Sequence, residues 1–251
     1  MTAVASTGAW LPLRKGQSGL PLFCLPHAGG SASSFRSWQG GVPGVAVLPV
    51  QPPGRESRLR EPGYETMVPL VDELATVILS AAQDEPYAVY GHSLGALVLF
   101  ELLREIRRRG AVSPVTAIVS GCVAPQLVVE DRTSVRGMTT PEVVDMLRKL
   151  GGTPAWLLND PTCLDMILPA VRADFSVKET YTYRPEPPLS LPITVLSSDA
   201  DPRASHAQQE AWRDQTTGRC DVHMLTGGHF AVFERPPLMK QYLADALKPW
   251  L

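Results

Sequence analysis

Gly91-His92-Ser93-Leu94-Gly95 matches the pattern G-x-S-x-G, and the sequence on either side gives the pattern its meaning. The apolar run Tyr87–Tyr90 before it predicts a strand, and Ser93–Arg109 after it predicts a helix. So sharp a turn from strand to helix strains the serine backbone, and the two glycines remove side chains that would collide there. The Ser93 hydroxyl is therefore expected to project at the carboxyl edge of a sheet, where a nucleophile can act.

Short apolar runs recur along the chain and alternate with longer helical patterns. They lack strict alternation of polar and apolar residues, as expected of parallel strands that are covered on both faces. The helical pattern Thr66–Ala82 places its apolar residues on one stripe. The predicted strands are Leu22–Leu25, Val45–Val50, Tyr87–Tyr90, Val115–Ser120, Ile193–Ser197 and Asp221–Leu225. Together with the serine motif, this order predicts an α/β-hydrolase fold, a mostly parallel central sheet flanked by helices.

The chain has 251 residues, of which 44% are hydrophobic, and this is enough for one large core. We therefore predict a single α/β-hydrolase domain over residues 1–251. Residues 123–188 interrupt the β–α rhythm, because they contain no convincing strand and predict three short helices instead. An insertion of this length over a sheet predicts a helical lid, with a fixed helical subdomain as the alternative. The three helices are expected at Pro141–Leu150, Pro161–Ala170 and Val171–Thr180.

Composition excludes several classes of function. The formal net charge is −2, which gives no indication of a nucleic acid or an anionic membrane as partner. Met1–Leu20 does not have the pattern of a signal peptide, and the apolar run Leu94–Phe100 is far too short to cross a bilayer. The four cysteines are far apart in sequence, which argues against a disulfide framework or a zinc site. We expect a soluble cytoplasmic protein, with a monomer as the default state.

A serine hydroxyl needs a base, and this fold places its base after the last strand. Of the five histidines, His229 satisfies this condition, since it follows the predicted strand Asp221–Leu225. His223 lies inside that strand and His92 is adjacent to the nucleophile. His206 is expected at the start of a helix and His27 in a structural loop. His229 is therefore the predicted general base.

The base needs an acid that holds its tautomer, and the chain order of this fold puts that acid between the serine and the histidine. The predicted strand Ile193–Ser197 runs into two candidates, Asp199 and Asp201. We favour Asp201, because the proline that follows it can fix the loop, and Asp199 remains the alternative.

The oxyanion of an acyl-transfer intermediate needs two backbone N–H donors. One is expected from Leu94, the residue after the nucleophile. The other is expected from the small-residue loop after the first strand, where we choose Ala28. Such a mechanism requires no metal and no cofactor.

These residues resemble the type II thioesterases, the discrete editing enzymes of polyketide and non-ribosomal peptide assembly lines. The opening Leu22–Ala32 and the segment Gln51–Glu56 are similar to the corresponding motifs of that family. The similarity continues through the serine motif, Asp174–Tyr183 and the Asp201-Pro202 pair. It extends to Gly227-Gly228-His229-Phe230 and covers about Leu22 to Leu247.

The resemblance implies a hydrolase of acyl thioesters held on the phosphopantetheine arm of an acyl or peptidyl carrier protein. It also implies a helical lid, a role in removing aberrant acyl groups, and Asp201 as the triad acid.

Arg55 and Arg58 follow a predicted strand, so they are expected near the same edge of the sheet as Ser93. They could meet an acidic carrier surface or the phosphate of the arm. The alternative is that they belong to a solvated loop and pair with acidic residues close to them in sequence.

Two other functions fit the same residues. A carboxylesterase or an acyltransferase would use an identical triad, since the triad does not choose the leaving group. A non-catalytic hydrolase-fold protein could instead bind acyl carriers, although intact Ser93, Asp201 and His229 argue against this.

Overall fold

A six-stranded sheet forms the centre of the protein, and every neighbouring pair of its strands is parallel. The computed structural model describes residues 7–128 and 134–251. Across the sheet the strands lie in the order β2-β1-β3-β4-β5-β6. The strands are β1 (Leu20–Leu25), β2 (Val45–Pro49), β3 (Ala88–His92), β4 (Thr116–Ser120), β5 (Ile193–Ser198) and β6 (Cys220–Leu225). The predicted α/β-hydrolase fold class is confirmed, and each predicted strand lies within two residues of an observed one at both ends.

Helices connect the strands and cover both faces of the sheet. The longest three between strands are α6, which lies between β4 and β5, α2, which follows β2, and α3, which starts directly after Ser93. The helices are α1 (Thr7–Trp10), α2 (Met67–Ala82), α3 (Leu94–Arg108), α4 (Thr140–Leu150), α5 (Ala155–Leu158), α6 (Pro161–Glu179), α7 (His206–Glu210), α8 (Ala231–Glu234) and α9 (Pro236–Leu247). Short 3₁₀ segments include Ala32–Trp38, Glu56–Arg58 and Pro125–Leu127.

The apolar residues form a layer on each side of the sheet. On one side, α2 and α3 pack with Trp10 and Trp212 against the strands. On the other side, α9 packs with Phe35 and Trp38. Because the strands are parallel, their carboxyl ends meet at one edge, and the loops that leave this edge can bring distant residues together.

Residues between β4 and β5 build a separate helical layer from α4, α5 and α6. Its apolar side chains form their own cluster, which includes Val143, Leu147, Leu168, Val171 and Phe175. Of the predicted lid over residues 123–188, residues 129–133 lie outside the described part of the chain. The assignment of this layer as a lid, and of 1–251 as a single domain, stays a prediction.

One expectation about this layer is wrong. The two short helices predicted over Pro161–Ala170 and Val171–Thr180 form the single helix α6. The helix passes through Pro169, which removes one backbone N–H donor but leaves the apolar stripe intact. Leu168, Val171 and Phe175 are buried in one cluster on both sides of the proline, so packing outweighs the local cost of the missing donor.

Within residues 7–128 and 134–251, the structure contains no helix whose length and apolarity would let it cross a lipid bilayer.

Candidate active site

The strand-to-helix turn at Ser93 has the strained backbone that the sequence predicts. Ser93 has φ 55° and ψ −118°, an unfavourable conformation for a residue with a side chain. A Cβ atom at Gly91 would overlap the backbone of Gly95, and one at Gly95 would overlap the Leu25 carbonyl. The Ser93 N–H donates to the Ser120 carbonyl at 2.9 Å and fixes the turn to β4. The elbow therefore depends on glycine at both positions.

Asp201 and His229 are brought together from separate loops. His229 follows β6, and its Nδ1 lies 2.9 Å from Oδ2 and 3.0 Å from Oδ1 of Asp201, which follows β5. The Arg203 N–H donates to Asp201 Oδ1 at 2.8 Å and orients the carboxylate. This geometry suits an acid that holds the histidine tautomer with Nε2 free to accept a proton.

Asp199, the alternative acid, is used differently. It is exposed, and its Oδ1 accepts a hydrogen bond from the Gly227 N–H at 2.9 Å. The contact ties the loop after β5 to the loop that carries His229, so the geometry favours Asp201 as the partner of the base.

Ser93 and His229 line the same cleft, which opens to solvent. The apolar part of its wall comes from α3 and from the helical layer, with Leu97, Leu150 and Phe175 among its members. Lys178 and Arg203 also line this cleft and bring positive charge to it. The cleft can therefore hold an apolar acyl group next to the hydroxyl.

The two predicted oxyanion donors border this cleft as well. Leu94 is the first residue of α3, where N–H groups have no partner inside the helix. Ala28 lies in a turn that the Gly30 N–H closes by donating to the His27 carbonyl at 2.9 Å. Within the described residues neither the Ala28 nor the Leu94 N–H has a hydrogen-bond acceptor, so both are available to a substrate oxygen.

Two further histidines lie behind the base. The ring centroid of His92 is 5.0 Å from that of His229 and 6.0 Å from that of His27. His92 is buried, with Nδ1 2.8 Å from the Ser120 hydroxyl, and burial holds its pKa well below the ordinary value. Burial also lowers the pKa of His27 to about 3, and the neighbouring charges of His229 and Arg55 act in the same direction. Both rings therefore stay neutral near pH 7.

Arg55 and Arg58 are buried and do not present charge to a carrier protein in this structure, so neither the carrier contact nor the expected solvation is observed, although Arg58 does pair locally with Glu61. Arg55 is 7% exposed, and its Nη2 lies 2.6 Å from Asp174 Oδ2. Arg58 is 4% exposed, pairs with Glu61 at 2.6 Å, and its guanidinium lies 4.4 Å from the centroid of the Trp10 ring. Each guanidinium can be buried because it forms an ion pair, Arg55 with Asp174 and Arg58 with Glu61.

Asp174 lies at the cleft, a position for which no role was predicted from the sequence. It is 9% exposed, and its Oδ2 accepts from the Gly29 N–H at 2.7 Å as well as pairing with Arg55. Burial raises the pKa of Asp174, and the Arg55 charge and the Gly29 N–H partly oppose that rise. A lone carboxylate among apolar residues of a buried helix face was the available signal, since such a group is kept only when it is paired.

Comparison with known proteins identifies the family. The family model described as "Thioesterase domain" matches residues 20–245. The chain is 35% identical over 254 residues to the gramicidin S biosynthesis protein GrsT of Aneurinibacillus migulanus, which covers 99% of this chain and 97% of the relative.

Solved structures agree with this result. RedJ, a thioesterase from the prodiginine biosynthetic pathway of Streptomyces coelicolor, superposes with a TM-score of 0.82 at 39% identity, over 91% of this chain and 90% of RedJ. The type II thioesterase BorB from the borrelidin biosynthetic cluster gives a TM-score of 0.83 at 36% identity, over 91% and 93% of the two chains. The resemblance to type II thioesterases is thereby confirmed, and the chain belongs to the thioesterase family, as a hydrolase that acts on thioesters.

Proposed function

We propose that this enzyme removes acyl groups from the phosphopantetheine arm of acyl or peptidyl carrier proteins, with Ser93 as nucleophile, His229 as base and Asp201 as acid. The observation that carries the proposal is the shared cleft of Ser93 and His229, with Asp201 hydrogen-bonded behind the imidazole. The relatives named for gramicidin S, prodiginine and borrelidin biosynthesis support assembly lines as the setting.

Acylation begins when Ser93 Oγ attacks the thioester carbonyl and His229 Nε2 takes the hydroxyl proton. The carbonyl oxygen becomes an oxyanion and accepts hydrogen bonds from the Ala28 and Leu94 N–H groups. His229 then gives its proton to the pantetheine sulfur, so that the carbon–sulfur bond breaks and a neutral thiol leaves. Asp201 stabilises the imidazolium throughout.

Deacylation repeats these steps with water. His229 takes a proton from a water molecule, the hydroxide attacks the Ser93 ester, and a second oxyanion occupies the same two N–H donors. Protonation of Ser93 Oγ by His229 releases the carboxylic acid. The original Ser93 proton leaves on the thiol and water supplies the proton that restores the hydroxyl, so the enzyme returns to its starting state with thioester and water converted to thiol and acid.

The positively charged residues at the cleft suggest where the arm of the carrier protein binds. Lys178 and Arg203 line the cleft, and their charges suit the phosphate of the arm better than the buried Arg55 and Arg58 do. The partner is an acyl or peptidyl carrier protein, and the proposed setting is the cytoplasm, with the enzyme acting as a monomer.

The decisive experiment measures hydrolysis of one acyl group on a carrier protein, on coenzyme A and as a simple aryl ester. Ser93→Ala is expected to abolish turnover of all three and to prevent labelling by a fluorophosphonate probe. Ser80→Ala, which changes an exposed serine on α2, is the matched control and should leave turnover unaltered.

The three substrates separate the rival functions. The proposal expects the highest kcat/KM on the acyl carrier. A higher value on the aryl ester would favour a carboxylesterase, and acyl transfer to an added alcohol or amine in place of hydrolysis would favour an acyltransferase. Full activity in Ser93→Ala would refute the nucleophile.

A further inference from the structure

One carboxylate oxygen joins three segments that are far apart in the chain. Asp174 Oδ2 accepts from the Gly29 N–H at 2.7 Å and lies 2.6 Å from Arg55 Nη2. Asp174 belongs to α6 in the inserted helical layer, Gly29 to the loop after β1, and Arg55 to the loop after β2. The insertion is therefore hydrogen-bonded to the residue next to Ala28.

The bond to Gly29 selects one form of the turn. The turn runs from His27 to Gly30, and Gly29 has φ 74°, the value expected at the third position of a type II turn. A type I turn differs by a flip of the peptide between Ala28 and Gly29. The flip would remove the N–H from the Asp174 carboxylate and point the Ala28 carbonyl toward it, so the carboxylate disfavours the flip.

Helix α6 also packs directly on this turn. A Cβ atom at Gly29 would lie 2.9 Å from Cγ2 of Val171, which is one helical turn before Asp174. Asp174 and Phe175 both line the cleft. The same helix thus covers the cleft and holds the backbone that carries one oxyanion donor.

We infer that Asp174 is a positioning residue for thioester hydrolysis, which anchors the His27–Gly30 turn to α6 and so fixes where the Ala28 N–H lies relative to the oxyanion. The Ala28 N–H belongs to the His27–Ala28 peptide, so the anchor acts on it through the placement of the whole turn. This inference rests on the proposed function, since it takes Ser93 as nucleophile and Ala28 as donor. One of the two oxyanion donors, the Ala28 N–H, therefore depends on how α6 packs against the turn. Arg55 acts through Asp174, because its charge opposes the rise in pKa that burial gives the carboxylate and its Nη2 fixes the position of Oδ2.

The test removes the ion pair and then varies only the acceptor. In Arg55→Met/Asp174→Asn the pair is neutral, but the amide oxygen can still accept from Gly29. In Arg55→Met/Asp174→Leu the side chain has nearly the same shape and cannot accept. Replacing both members of a buried ion pair together avoids the large penalty of leaving one charge unpaired.

The readouts are kcat, KM and the affinity for an alkyl trifluoromethyl ketone, which forms a tetrahedral oxyanion adduct with an active-site serine. We expect kcat of the Leu variant to be roughly 10- to 100-fold below that of the Asn variant, because a displaced donor loses part or all of the hundredfold that one oxyanion donor contributes. The affinity for the ketone should fall in parallel, while KM and the melting temperature of the two variants agree.

Equal kcat and equal ketone affinity in the two variants would overturn the inference, and so would a difference confined to KM. If the Leu variant does not fold, Arg55→Met/Asp174→Ala replaces it, with the same expected loss against the Asn variant. Ser93→Ala separates the two proposals. Activity in Ser93→Ala refutes the proposed function, whereas an inactive Ser93→Ala with equal double variants refutes only the role of Asp174.

Discussion

Nδ1 of His229 lies 2.9 Å from Oδ2 of Asp201, and the two side chains are 2% and 0% exposed. The carboxylate is held from behind by the Arg203 N–H, so it cannot easily turn away from the imidazole. The positive charge that forms on His229 during the reaction is consequently stabilised by the ordered, desolvated carboxylate of Asp201.

Asp201→Asn is expected to lower kcat by about 10³- to 10⁴-fold, because an amide no longer stabilises the imidazolium and can stabilise the wrong tautomer. Steady-state hydrolysis of an acyl-pantetheine substrate measures the loss. Asp199→Asn is the matched control on the same loop, where the amide oxygen can still accept from Gly227. A larger loss in Asp199→Asn than in Asp201→Asn would reverse the assignment of the acid.

Acid should destabilise the protein through His27. Burial lowers the pKa of this histidine to about 3 in the folded state, against an ordinary value of 6.5. Between these values the unfolded chain binds more protons, so the stabilisation is complete above about pH 6.5 and is lost as the pH falls toward 3. His27→Gln removes this difference, and its free energy of unfolding should decline less steeply by up to about 1.4 kcal/mol per pH unit.

Urea unfolding at about pH 7, 5.5 and 4 measures the slope. His206→Gln is the control, because His206 is exposed at the start of α7, and its slope should follow that of the wild type. Identical slopes in the His27 variant and the wild type would show that His27 does not contribute to acid sensitivity.

The sheet was predictable because local pattern and final environment agree in it. Strands β2 to β5 are buried along their whole length, and the serine motif fixes where β3 ends and α3 begins. The continuity of α6 was not predictable in the same way. Pro169 signals a break, and only the shared burial of Leu168, Val171 and Phe175 with α4 shows why the helix continues.

The candidate site likewise contains residues that the sequence predicts and residues whose role depends on distant contacts. Ser93, Asp201 and His229 could be predicted as candidates because chain order in this fold limits where each can lie. The role of Asp174 was missed because its partners, Gly29 and Arg55, are 145 and 119 residues away. A lone carboxylate on an apolar helix face indicates a buried pair but does not identify the residues that complete it. The burial of Arg55 and Arg58 was missed for the same reason, since basic residues in a loop are ordinarily solvated.

Arg58→Ala is expected to weaken folding and not carrier recognition. It removes an ion pair with Glu61, a hydrogen bond to the Gln51 carbonyl and the packing on Trp10, so the free energy of unfolding should fall by about 3 kcal/mol. Arg60→Ala, which changes an exposed residue of the same loop, should cost less than about 0.5 kcal/mol. Urea unfolding measures both. A stable Arg58→Ala whose kcat/KM on the acyl carrier loses its salt dependence would restore the carrier role.

Acyl preference is expected to depend on the inserted layer, and Leu150 at the end of α4 offers a test. Leu150 lines the cleft, so Leu150→Trp should fill part of the space next to Ser93. Short acyl groups still fit, whereas long ones lose contacts, and the ratio of kcat/KM for acetyl to that for decanoyl should rise by at least about tenfold. A panel of acyl groups on one carrier protein, followed by intact mass, measures the ratio. Met166→Trp adds similar bulk on α6 at a residue that is 44% exposed, and it should leave the ratio as in the wild type. An unchanged ratio in a folded Leu150→Trp would place the acyl chain elsewhere in the protein.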